Sequence, residues 1–176
     1  MKKVIMMKGF VLAVAGIFMA STLWAQGGRP SPAATATGKV KGATITINYS
    51  SPGVKGRKIW GELVPYDKVW RAGANEATLF ATDKDLKVEG KALPAGKYSL
   101  YAIPGEKEWT IIFNSVTGQW GINRDGTTTE DPAKDVLRVT VKPVTSSEFN
   151  ERLVYMVDNN GFSLYWENLK VPVSAK

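Results

Sequence analysis

A chain of 176 residues is long enough for one domain with a substantial hydrophobic core. It contains no Cys and no His. This excludes disulfides, Ser-His and Cys-His nucleophile pairs, and the commonest ligands of zinc, copper and haem, so no cofactor or metal is assigned and any ion would have to be hard and oxygen-bound. The net charge of +7 is uneven, because Lys2, Lys3 and Lys8 account for three of the 23 basic residues. The remaining 20 face 16 acids and leave +4, a mildly basic surface without a nucleic-acid footprint.

The N-terminus has the layout of a secretory signal peptide over residues 1–25: the three lysines, an uncharged and mostly apolar stretch Gly9 to Leu23, and small residues up to Ala25 for cleavage. The chain is therefore expected to be exported, periplasmic or extracellular, with no stable membrane insertion after cleavage. The competing reading is a retained anchor, since the uncharged stretch runs from Gly9 to Gly28, just long enough to span a bilayer. Residues 26–38 (QGGRPSPAATATG) are small, polar and Pro-containing, and read as a flexible lead-in to a single domain over 39–176.

From Lys39 the period is two. Ala43 to Tyr49 alternates Ile45, Ile47 and Tyr49 against Thr44, Thr46 and Asn48. Ala77 to Thr82 and Leu86 to Val88 are further strands, with turns at Glu89-Gly90 and Leu93 to Gly96. Lys97 to Ile103 and Glu108 to Asn114 form a hairpin around Pro104 to Lys107, with Gly105 free to take φ > 0. Val116 to Asp135 is a long loop, a length often tied to function or mobility. Val136 to Lys142, Arg152 to Val157, Phe162 to Trp166 and Leu169 to Val173 complete the set. Asn160-Gly161 is expected as a type I′ pair and Ser146 to Glu151 as at most one turn of helix. The pattern predicts an all-β, antiparallel β-sandwich, immunoglobulin-like or jelly-roll-like, of about nine strands with no substantial helix.

One stretch fits neither strand nor simple turn: Ser51 to Thr78, which gathers Arg57, Trp60, Tyr66, Trp70, Arg71, Asn75 and Glu76. Arg57 and Arg71 can form an anion clamp, because guanidinium presents fixed paired donors, or they can pin the loop by salt bridges to Glu62, Asp67 or Glu76. Trp60, Tyr66, Trp70 and Trp120 can form a platform for sugars or cations, or fill the core. The carboxylates Glu62, Asp67, Glu76 and Glu167 are a weak signal for glycoside chemistry. Asp125, Glu130, Asp131 and Asp135 suggest an irregular calcium site, although Pro132 falls where an EF-hand needs its bidentate Glu.

The run GRKIWGELVPYDKVWRAGANEAT, followed by LPAGKYSLYAIPGEKEWTIIFN, Gln119-Trp120-Gly121, Asp135 to Val139 and Tyr165-Trp166-Glu167, resembles the DUF2911 family of exported bacterial proteins, well represented in Bacteroidetes. The resemblance spans about Ala43 to Val173. Two departures stand out: Ala72 replaces a frequent Thr, and the tract before Asp135 is longer and more polar. The resemblance implies an exported all-β domain and assigns no catalytic residue. Three functional readings follow. The first is a non-enzymatic binding module for a glycan or another envelope protein, using Arg57, Tyr66, Trp70, Arg71, Asn75, Glu76 and Trp120. The second is a hydrolase with Glu76 and Glu167 as acid and base. The third is a purely structural role for the signature.

Overall fold

A computed structural model describes residues 28–176. The signal peptide expected over residues 1–25 lies outside the described residues. The domain has ten strands: β1 Ala33–Val40, β2 Ala43–Ser50, β3 Thr78–Thr82, β4 Leu86–Val88, β5 Lys91–Leu93, β6 Gly96–Ile103, β7 Trp109–Asn114, β8 Asp135–Val141, β9 Val144–Asp158 and β10 Gly161–Ser174. A three-residue 3-10 turn at Pro132–Lys134 is the one helical element among the described residues. The fold is thus all-β and antiparallel, as the period-two pattern requires, with one strand more than expected.

Six strands form the main sheet in the order β1-β2-β3-β6-β7-β8, so neighbours in space follow the chain apart from the inserted β4–β5 hairpin. The long β9–β10 hairpin faces this sheet. Ile45, Ile47, Phe80, Phe113, Leu137, Val139 and Val141 all point inward and are buried. Phe162 of β10 meets Phe80 and Phe113 at 5.4 and 6.4 Å, and Tyr155 of β9 meets Tyr49 edge-on at 4.9 Å. Offset and edge-to-face pairs of this kind add specific geometry to the area they bury.

Several local expectations need correction. Residues 33–38 are strand rather than lead-in: β1 pairs with β2 along its whole length, from Ala33↔Ser50 to Val40↔Ala43. Alternating Ala and Thr carry too little apolar surface to announce a strand, yet β1 is held by a ladder to β2 and packs closely on β9 at Val157. Ser146 to Glu151 is extended within β9, its irregularity absorbed by Asn150 Nδ2, which donates to Ser146 Oγ and the Glu148 carbonyl at 3.1 and 2.9 Å. Gly105 does not take positive φ. Its lack of a side chain serves a close approach instead, since a Cβ there would sit 2.5 Å from the Glu108 carbonyl. The β9–β10 turn is Asn159-Asn160, neither of them at positive φ, with Asp158 Oδ1 accepting from Asn160 N at 2.7 Å. Glu89 and Gly90 do form the expected turn, both of them left-handed at φ 47° and 79°.

β10 is not straight. Glu167 is left-handed (φ 54°) and the register slips on both sides of it. The far end of the strand then returns alongside its start, so that Ala175 N donates to the Asn160 carbonyl at 2.8 Å. The two shorter strands expected at 162–166 and 169–173 are the two arms of this bend.

Candidate functional site

Between β2 and β3 the chain takes an irregular path for which its sequence is suited. Lys55, Gly56, Gly61, Asp67, Ala72 and Asn75 are all left-handed, with φ from 49° to 82°. No regular element tolerates so many such residues. Distant partners hold the path in place. The amide of Val54 donates to Glu151 O (2.7 Å), and Trp70 and Ala102 exchange reciprocal backbone bonds of 2.7 and 2.8 Å. Thr78, the first residue of β3, pairs with Leu100 of β6. Trp70 pairs with β6 two residues further along, at Ala102, so the segment extends that edge of the sheet beyond the start of β3. The carbonyl of Ala72 accepts from Tyr155 Oη at 2.8 Å and Thr78 Oγ1 at 3.0 Å. Burial first, and then neighbouring Tyr49, push the Tyr155 phenol well above its ordinary pKa, so it remains a donor.

Trp70 is the inner anchor. It stacks on Trp166 at 6.0 Å and 16°, meets Trp60 and Trp109 edge-on at 6.0 and 6.2 Å, and donates Nε1 to the Gly73 carbonyl at 3.1 Å. Its rings are engaged with other tryptophans, so it does not serve as a free stacking platform.

Outside this anchor lies a cleft of about 410 Å3, within the range of small-ligand sites. Of the seven candidate residues, Arg57, Trp70, Arg71 and Asn75 line it. Leu63, Val64 and Val69 supply an aliphatic wall, and Lys68 a third cation. No carboxylate is among its lining residues. Arg57 is pinned by its own loop, donating to the Gly53 and Val54 carbonyls at 2.6 and 3.1 Å. Asn75 Nδ2 donates to Ser31 O at 3.1 Å, and its carbonyl accepts from Gly121 N at 3.2 Å. The Arg71 stem crosses Gly121 where a side chain would otherwise be, since a Cβ on Gly121 would lie 2.4 Å from Arg71 Cδ. Nε and Nη1 of Arg71 are fully buried without a partner. Burial lowers the pKa of this guanidinium, and the Glu76 carboxylate partly offsets the effect.

The other three candidates sit elsewhere. Tyr66 is half-buried beneath Gly61. Trp120 is half-exposed and bridges to Glu76 through the backbone. Glu76 pairs with Arg29 at 2.9 and 3.1 Å. Its own backbone N–H, and then Arg29, hold its carboxyl below the ordinary range, the wrong direction for a general acid. Glu62 pairs with Lys58 at 3.2 Å, and Glu167 lies at the β10 bend opposite Asn150. The structure therefore assembles no catalytic carboxylate pair from Glu62, Asp67, Glu76 and Glu167 at the cleft.

The calcium constellation is likewise dispersed. Asp125 accepts from Thr127, Asp131 caps the 3-10 turn, and Glu130 and Asp135 both hold Arg138, at 2.8 and 2.6 Å. Among the described residues no group of three or more acids is placed to hold a metal. The long loop itself is packed. Gln119 Nε2 donates to Ser99 Oγ and Tyr101 Oη at 3.2 and 2.8 Å, and Ala77 N donates to Gln119 O at 3.1 Å. Ile122 and Gly126 of this loop reach the cleft, as does Trp166 from β10. Lys68 lies inside the irregular segment but was not singled out by the sequence. The contributions of Ile122, Gly126 and Trp166 had no local signal.

A family model, DUF2911, described as a protein of unknown function, matches residues 31–175, and the chain belongs to that family. No curated protein and no solved structure shows significant similarity to it.

Proposed function

We propose that the protein is an exported, non-enzymatic binding module of the bacterial envelope, which holds a glycan or a segment of another envelope protein in the cleft under residues 51–78. The observation that carries this reading is the cleft: a concave site with an aliphatic wall, three cationic side chains and no carboxylate. Export is supported by the basic start and apolar stretch of residues 1–25. Binding is favoured over hydrolysis because the carboxylates of the signature are occupied elsewhere, Glu76 by Arg29 and Glu62 by Lys58. The structural reading keeps a share of the signature: Trp70, Gly73 and Thr78 are engaged in packing and internal hydrogen bonds. On this division the inner face of the segment maintains the fold and the outer face binds. Thermal unfolding with a panel of envelope glycans and peptides tests the proposal. A saturable rise of the midpoint with one of them is expected, and no response across the panel would refute it. Cell fractionation tests export: recovery in the cytoplasm at full chain length would rule it out.

A further inference from the structure

Arg71 differs from the other arginines that hold partners in this chain. Arg29 is paired with Glu76, Arg138 with Glu130 and Asp135, Arg57 with two carbonyls of its own loop, and Arg152 with the carbonyls of Pro30 and Ser51. Arg71 takes part in none of the side-chain hydrogen bonds or ion pairs among the described residues, and its Nε and Nη1 are buried. A guanidinium stays charged throughout the working pH range, so burial without an acceptor is unfavourable unless something completes the site. The one acid that acts on it, Glu76, is turned to Arg29. Around it the fold gives way rather than compensating: Gly121 clears the path of its stem, and the other charged side chains of the cleft, Arg57 and Lys68, are cations too.

The same cleft offers little to a neutral sugar. Trp70 is committed to Trp60, Trp109 and Trp166, and its Nε1 to Gly73. Recognition is left to charge, with Leu63, Val64 and Val69 covering the carbon skeleton of the ligand. The geometry points to an oxyanion site: the ligand presents a carboxylate, phosphate or sulfate whose oxygens accept hydrogen bonds from the Arg71 guanidinium, first at Nη2, the nitrogen that is not buried, with Lys68 and Arg57 adding positive potential at the rim. This inference rests on the binding reading above and names the chemistry of the ligand.

The test compares matched probes at constant ionic strength by thermal unfolding and intrinsic tryptophan fluorescence. The probes are galacturonate against galactose, an N-acetylated peptide acid against its amide, and inorganic phosphate. Wild type should respond saturably to galacturonate, to the peptide acid or to phosphate, and at least ten-fold more weakly to the uncharged counterpart. The first two pairs tell a glycan source of the anion from a peptide source. R71M, which keeps most of the stem, should melt no lower than wild type without ligand and lose the response, while R71K should keep part of it. The inference falls if no anion gives a saturable response, if R71M responds as wild type does, or if R71M simply melts several degrees lower with anion affinity intact. Equal responses to galactose and galacturonate would sink the oxyanion site and leave the binding module standing. Should R71M fail to fold, phosphate titration of R71K decides: affinity equal to that of wild type, together with an equal response to the uncharged probes, overturns the inference, and weakened affinity supports it.

Discussion

Gly121 and Arg71 share one volume, and that sharing sets the site at the residue scale. Gly121 is not at positive φ, so its conformational freedom is not what the position requires. What it supplies is room, because a Cβ would approach Arg71 Cβ to 2.6 Å and Cδ to 2.4 Å. A contact at Arg71 Cβ cannot be relieved by rotating the end of a flexible side chain. G121A should therefore destabilise the protein by about 1–3 kcal/mol, the usual range for overpacking, and displace the guanidinium from the cleft. Urea unfolding measures the first effect and the anion titration the second. An unchanged stability would show that the loop carrying Gly121 moves freely. Glycine in the signature run was readable as a constraint, but its kind was not: a Cβ added at Gly61 would meet the Tyr66 ring at 3.0 Å, and one added at Gly73 would meet Thr78 Oγ1 at 2.8 Å.

At the scale of elements, β1 is the segment whose packing contradicts its composition. Gly38 lies against β9, where an added Cβ would meet the Val157 side chain and carbonyl at 2.8 Å. G38A should lower stability by about 1–3 kcal/mol. A flexible lead-in would tolerate the same substitution without effect, so the equilibrium unfolding midpoint separates the two descriptions. The loop between β7 and β8 carries a second test. Glu130 is almost wholly buried as a side chain, beside Asp135 and against Arg138. Burial first, and then the Asp135 charge, raise its carboxyl above the ordinary range, with Arg138 opposing. The folded state then holds the proton more tightly than the unfolded chain. The contribution to stability is fullest below the ordinary carboxyl range and falls as pH rises through the raised value. E130Q should flatten this part of the stability–pH profile. A profile identical to that of wild type from mildly acidic to neutral pH would show that Glu130 does not titrate there.

For the whole molecule, four tryptophans join the parts. Trp109 comes from β7, Trp166 from β10, and Trp60 and Trp70 from the irregular segment, with ring centroids 5.0 to 6.2 Å apart. In a domain without disulfides, this cluster is what couples the 51–78 segment to both faces of the sandwich. Truncating a buried tryptophan removes a large area and leaves a cavity, so W166A should destabilise by about 3–5 kcal/mol. Because the cluster is shared, unfolding should remain a single transition. A separate early melting of the segment, seen as a fluorescence change ahead of the far-UV signal, would show that the parts are less coupled than their packing implies.

The alternation in β2 and β8 needed only the sequence, since a period of two places one face of a strand on the core whatever lies opposite. The Glu89-Gly90 turn, the absence of Cys and His chemistry, and the identity of the signature were legible for the same reason: each depends on neighbouring residues or on composition. The rest depends on contacts far apart in the chain. β1 is a strand because β2 supplies its ladder and β9 its packing. Trp70 belongs to the core because Trp166, almost a hundred positions away, stacks on it. The cleft has one wall from 51–78 and another from the loop at Ile122 and Gly126. The orientation of an irregular segment is set by its distant hydrogen-bond partners, such as Tyr155 on Ala72 and Ala102 on Trp70. For that reason tertiary structure alone decided which residues of the signature face inward to hold the fold and which, Arg71 foremost, face the cleft.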